Sequence, residues 1–147
     1  MKHYDVTPLK SVGPVSFGMA RADVLAAMGA PSSSFRKTQD SVHPTDAWHG
    51  NSFQVFYCGT TPVVQFIELS QSDETVVRLF EHPVFGTPAA ELVEHIASLA
   101  AVDQSDPEHG YSYIFPVLEL CLWRPNQEEL HFSTVGAGQA GYFASAT

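Results

Sequence analysis

The sequence predicts an α+β fold in which two tandem helix-plus-antiparallel-sheet repeats form one continuous antiparallel sheet with both helices packed on one face. Three observations lead there. Two segments space their apolar residues as a helix does, each behind a turn-rich approach. Each is followed, after a polar stretch, by a strand–turn–strand pair. A shift of 68 positions then lays one set on the other: Phe17-Gly18 falls on Phe85-Gly86, Asp23 on Glu91, Val24 on Leu92, Leu25 on Val93 and Met28 on Ile96. One such unit of about 70 residues buries little apolar surface by itself. Joining two makes a core from one sheet face and two helix stripes, and leaves the other sheet face open. The expected organisation is a single compact domain, 1–147, with internal repeats over roughly 12–72 and 76–143.

The elements follow in order. Gly13-Pro14-Val15-Ser16-Phe17-Gly18 is turn chemistry, and Met19 to Met28 carries Val24, Leu25 and Met28 at helical spacing before Gly29 and Pro31 stop it. Thr38 to Gly50 reads as a polar loop with room for a short strand. Phe53 to Cys58 and Val63 to Leu69 are strands, and Gly59-Thr60-Thr61-Pro62 joins them as a hairpin. Thr75 to Phe80 is a further short strand. The second helix begins at Thr87 as N-cap with Pro88 in the first position, and Leu92, Val93, Ile96 and Leu99 form its apolar stripe. Asp103 to Gly110 is a loop. Tyr111 to Phe115, Val117 to Trp123 and Glu129 to Val135 are strands, and Tyr142-Phe143 is the anchor of a small-residue tail.

Composition narrows the function. With 147 residues, 44% of them hydrophobic, the chain can build a real core. Its apolar runs fall far short of the roughly 20 residues of a membrane span. The segment Met1-Lys2-His3-Tyr4-Asp5 lacks the apolar stretch of a leader, so the expected location is the cytoplasm, with no membrane partner. Cys58 and Cys121 sit inside strands and read as buried free thiols. The formal charge of -9 excludes nucleic acid as a direct partner, because phosphate neutralisation needs Lys and Arg. The same field would steer in a basic protein.

No catalytic pattern stands out. His43-Pro44-Thr45-Asp46-Ala47-Trp48-His49 gathers two His and one Asp, but its spacing fits neither a helical pair nor a zinc finger, so no metal and no cofactor is expected. Gly136-Ala137-Gly138-Gln139-Ala140-Gly141 matches G-x-G-x-x-G in letters, yet no helix long enough to face a phosphate follows, and it reads as a C-terminal turn. Glu128-Glu129 and Asp73-Glu74 are solvated acids in turns. A small enzyme with a dispersed site is the reading left for catalysis. Recognition is the stronger alternative: Trp48, Phe56, Tyr57, Tyr111, Tyr113 and Trp123 are aromatics on strands and adjoining loops, and outward-facing ones would make a binding surface. Asp40, Asp46, Glu68 and Glu119 would supply charge around it, and His43 and His49 lie in the polar loop Thr38 to Gly50.

The segment Val12-Gly13-Pro14-Val15-Ser16-Phe17-Gly18-Met19-Ala20-Arg21-Ala22-Asp23-Val24 resembles the G-P-hydrophobic-x-F-G-M-x-R-x-x-V opening of a set of small bacterial proteins. Phe35-Arg36-Lys37, Asp40 to Asp46, Phe53 to Cys58 and Val63 to Glu68 continue the likeness. Some of those proteins look like immunity proteins of polymorphic toxin systems. Others resemble the SmpA/BamE-like fold, which the β-lactamase inhibitor protein carries in tandem. The resemblance implies a non-catalytic protein that binds and neutralises a cognate toxin. An assembly adaptor or enzyme inhibitor of the BamE sort is the alternative it offers. It transfers no catalytic residues.

Overall fold

The computed structural model describes residues 1–145. In chain order the strands are β1 (Lys2–Thr7), β2 (Ser11–Val12) and β3 (Val15–Ser16), followed by helix α1 (Arg21–Met28). Then come β4 (Ser33–Phe35), β5 (Thr45–Trp48), β6 (Phe53–Cys58), β7 (Val63–Ser70), β8 (Thr75–Leu79) and β9 (His82–Pro83). Helix α2 (Ala89–Ala97), β10 (Ser112–Phe115), a 3-10 turn at Pro116–Leu118, β11 (Leu120–Trp123), β12 (Thr134–Gly138) and a single turn α3 (Tyr142–Ser145) complete the order.

The expected architecture is corrected here. The described residues are mostly β, with two sheets in place of one and, among them, only two helices longer than a turn. The small sheet has the order β3-β2-β1-β8-β9; the large one runs β10-β11-β12-β7-β6-β5-β4. The reason lies in β1. Tyr4 and Val6 are buried while His3, Asp5 and Thr7 face water, a period-two alternation. That strand pairs parallel with β8, Lys2 opposite Thr75 and Val6 opposite Leu79. The turn chemistry at Gly13-Pro14 joins β2 to β3, which extend the same sheet. Segments expected as an approach to a helix thus became a second sheet.

The halves are not copies. Four strands of the large sheet come from the first half and three from the second, and the small sheet draws on both. The 68-residue shift relates the two helix starts: isolated bridges join Ala20 to Val63 and Pro88 to His131, and the N–H groups of Arg21 and Ala89 reach the carbonyls of Pro62 and Leu130 at 3.0 and 2.7 Å.

Local elements explain themselves more simply. In β6 the pattern buries Phe53, Val55 and Tyr57 and leaves Gln54, Phe56 and Cys58 on the other side. The expected hairpin with β7 forms, with a register shift between Phe56 and Tyr57. Helix α2 buries Ala89, Leu92 and Ile96, whereas α1 buries only Val24. The last long strand lies later than expected, at Thr134–Gly138 rather than Glu129 to Val135.

One apolar core contains Val55, Ile67, Leu69, Leu120, Leu122 and Val135 from one face of the large sheet. Tyr4, Val6, Val77 and Leu79 of the small sheet join it, and the Tyr4 and Phe53 rings lie 4.7 Å apart. Each fully buried Leu, Ile or Phe contributes about 1.5–3 kcal/mol. Among the described residues, no helix is long and apolar enough to cross a membrane.

Candidate functional site

Asp46 lies on β5 with no exposed surface, and its carboxylate is fully engaged. Arg21 of α1 donates from Nε to Oδ2 at 2.7 Å and from Nη2 to Oδ1 at 3.0 Å. Ser34 Oγ on β4 donates to Oδ1 at 2.8 Å, and Tyr57 on β6 donates its hydroxyl to Oδ2 at 2.8 Å. Burial pushes the Asp46 carboxyl up, but the bonds from Arg21, Ser34 and Tyr57 outweigh it and hold it below its ordinary value. Burial first, and then the bond to Asp46, raises Tyr57 far above a normal phenol. Four donors on two oxygens leave little room for a substrate proton. The cluster clamps α1 to three neighbouring strands.

Loop 49–52, at one end of β5, carries His49. Its backbone takes φ 55°, and its Nε2 lies 2.7 Å from the Tyr4 hydroxyl. Trp48 is buried, 4% exposed, and its indole N–H donates to the Gly29 carbonyl at 3.1 Å. Trp48 and His49 line a cleft of about 410 Å³ with Lys2, Tyr4, Met28 and Glu74. His43 is at the other end of β5, where its Nε2–H donates to the Gly59 carbonyl at 2.6 Å. Asp40 is exposed in the same loop, which Arg36 braces by donating to the carbonyls of Ser41 and Val42. His43 and His49 thus lie beyond opposite ends of β5, with Asp46 turned into the core between them.

On the outer face of the large sheet the single turn α3 packs at one end, through Tyr142 on Phe66. Register sets Ser112, Trp123, Thr134 and Ser70 side by side in one row, and Ile114, Cys121, Gly136, Glu68 and Gln54 in the next. Beyond them Phe66 stacks on Tyr142 with centroids 4.5 Å apart and planes at 16°, and Phe143 meets its edge. A Cβ on Gly136 would come within 2.4 Å of Phe66, and one on Gly138 within 2.7 Å of Tyr142, so these two positions stay bare to seat the rings. The G-x-G-x-x-G letters therefore describe a flat strand under aromatics. Glu119, 7% exposed, accepts N–H bonds from Gly141 at 2.8 Å and Phe143 at 2.9 Å and fastens this turn down. Below it, burial pushes the Cys121 thiol up to about 12.

At the other end of the same face Trp123 is 41% exposed. Tyr113 points inward onto Phe132 at 5.7 Å, its hydroxyl donating to Gly110, and Tyr111 is half-buried. Arg124 ties the surrounding loops together, donating to the carbonyls of Gly110 (2.7 Å from Nη2) and Glu129 (2.8 Å from Nη1). Of the residues expected at a binding surface, Trp123 and Asp40 are exposed, His43, His49, Phe56, Glu68, Tyr111 and Tyr113 are half-buried, and Asp46, Trp48, Tyr57 and Glu119 lie inside. Sequence reasoning missed Arg21, Tyr4 and Arg124. Arg21 stands beside Asp23 in the sequence, and nothing there points to Asp46. No family model, no curated protein and no solved structure matches the chain.

Proposed function

We propose that this chain is a non-catalytic, protein-binding inhibitor of the immunity type, which binds a cognate toxin domain in the cytoplasm through the open outer face around Trp123. The observation that carries the reading is a tryptophan, Trp123, standing 41% exposed in the outermost row of that face, at the end away from α3. Exposed tryptophans are disproportionately the residues on which protein interfaces turn. The internal polar groups support the same reading, since Asp46, Tyr57 and Glu119 are saturated by partners within the chain.

Co-expression with the toxin domain encoded beside its gene tests the function. The intact chain restores growth and co-purifies with the toxin domain. Trp123→Ala weakens the complex about a hundredfold, the loss of roughly 2–3 kcal/mol expected of an interface anchor. Growth that is not restored defeats the function. Restored growth with undiminished affinity in Trp123→Ala defeats the surface.

A further inference from the structure

Resting on the reading of the outer face as a docking surface, we infer that its occupant is a basic protein segment: an apolar or aromatic side chain sits on Trp123, and Lys or Arg side chains lie along an acidic rim beside it. The charge of the chain is unevenly spread. Residues 1–79 hold six Lys/Arg and seven Asp/Glu; residues 80–147 hold one and nine.

The large sheet sorts these charges by its ends. At the Trp123 end the chain leaves or joins strands through segments 71–74, 103–111 and 124–133. Besides Glu74, which lines the cleft beside Lys2, these segments carry Asp73, Asp103, Asp106, Glu108, Glu128 and Glu129, all exposed except the half-buried Asp103 and Asp106. Their only Lys or Arg is Arg124, and its guanidinium is taken up by backbone carbonyls. Among the described residues the salt bridge is Arg21–Asp46, so none of the six rim carboxylates has a cation in contact. The opposite end, loop 36–44, carries Arg36, Lys37 and Asp40.

A basic segment therefore gains from every carboxylate on the rim, and the rim's field steers it to this end of the sheet. An acidic or neutral partner would bury those carboxylates unpaired, at a cost. Leu130, 62% exposed in the same segment as Glu128 and Glu129, adds apolar area beside the charges.

Trp48→Phe leaves Trp123 as the chain's one tryptophan, so its emission reports this surface. The probe is an arginine-rich peptide with a central leucine. It should shift the emission saturably, and its affinity should fall at least about tenfold on raising salt from about 50 to about 300 mM. Glu128→Lys with Glu129→Lys should weaken it at least about tenfold, whereas Arg36→Gln with Lys37→Gln should leave it within about twofold. If Trp48→Phe does not fold, the indole N–H resonance of Trp123 in the intact chain gives the same readout. An unmoved Trp123 signal, an affinity blind to the rim reversal, or self-association through the Arg36–Lys37 end overturns the inference. In the growth assay the two readings separate. A rim-reversed chain that still neutralises fully overturns the basic partner alone; a chain that binds the peptide without neutralising any toxin overturns the inhibitor alone.

Discussion

Asp46 and Glu119 are both buried carboxylates, yet they are held by different means. Asp46 is met by side chains from three elements, one of them a guanidinium. Glu119 is met by backbone N–H groups of the turn after β12. A buried charge that loses its paired cation costs more than one that loses backbone donors free to turn to water. The first carboxylate therefore belongs to the global stability of the fold. The second belongs to a local latch over one strand, whose opening leaves the core intact.

The largest effect expected is at the first site. Asp46→Ala leaves Arg21 and the Tyr57 hydroxyl without their acceptor and should cost about 3–5 kcal/mol, or roughly 10 °C in a thermal melt. The same site sets an acid dependence. The folded Asp46 carboxyl titrates below its unfolded value, so its contribution is complete above about pH 4 and fades as pH falls through the lower folded value. Asp46→Asn should remove that part of the acid slope between pH 5 and 2, and an unchanged slope would rule out Asp46 as its source.

Glu119→Ala sharpens the contrast. It should lower the free energy of local opening over β12 by about 1–3 kcal/mol, leaving global unfolding nearly unchanged. In a Cys58→Ser background, alkylation of Cys121 should accelerate at least about tenfold as Tyr142 lifts away, while the melt moves little. Acceleration that merely tracks global unfolding would make the two carboxylates equivalent. The smallest effect lies beyond both. Lys37 Nζ sits 4.8 Å from the Phe56 centroid, and Lys37→Met should cost about 0.5 kcal/mol in the melt.

The hairpin of β6 and β7 is legible because alternation and turn residues are local signals. Helix α2 is legible because its apolar stripe is wide; α1, with Ala at three of its eight positions, gives the same signal while burying one side chain. The small sheet is not legible, although β1 alternates, because nothing in Lys2–Thr7 names Thr75–Leu79 as its partner. The strand Thr134–Gly138 hides for another reason: Gly-Ala-Gly has poor strand propensity, and its bareness is explained only by the rings of Phe66 and Tyr142. Of the candidate site, Trp123 is legible as an aromatic near a turn. Asp46 reads as a loop acid because its donors lie 11, 12 and 25 residues away in the chain.

The parallel pairing of β1 with β8 also sets an order of events. In synthesis β1 emerges first, while its partner is made roughly 70 residues later. At the usual 5–20 residues per second, that leaves Tyr4 and Val6 waiting roughly 4–15 s for the strand that buries them. A slow codon run between the two strands would lengthen that wait, so the gene's translation speed, and not only its protein sequence, bears on how much chain reaches the native state.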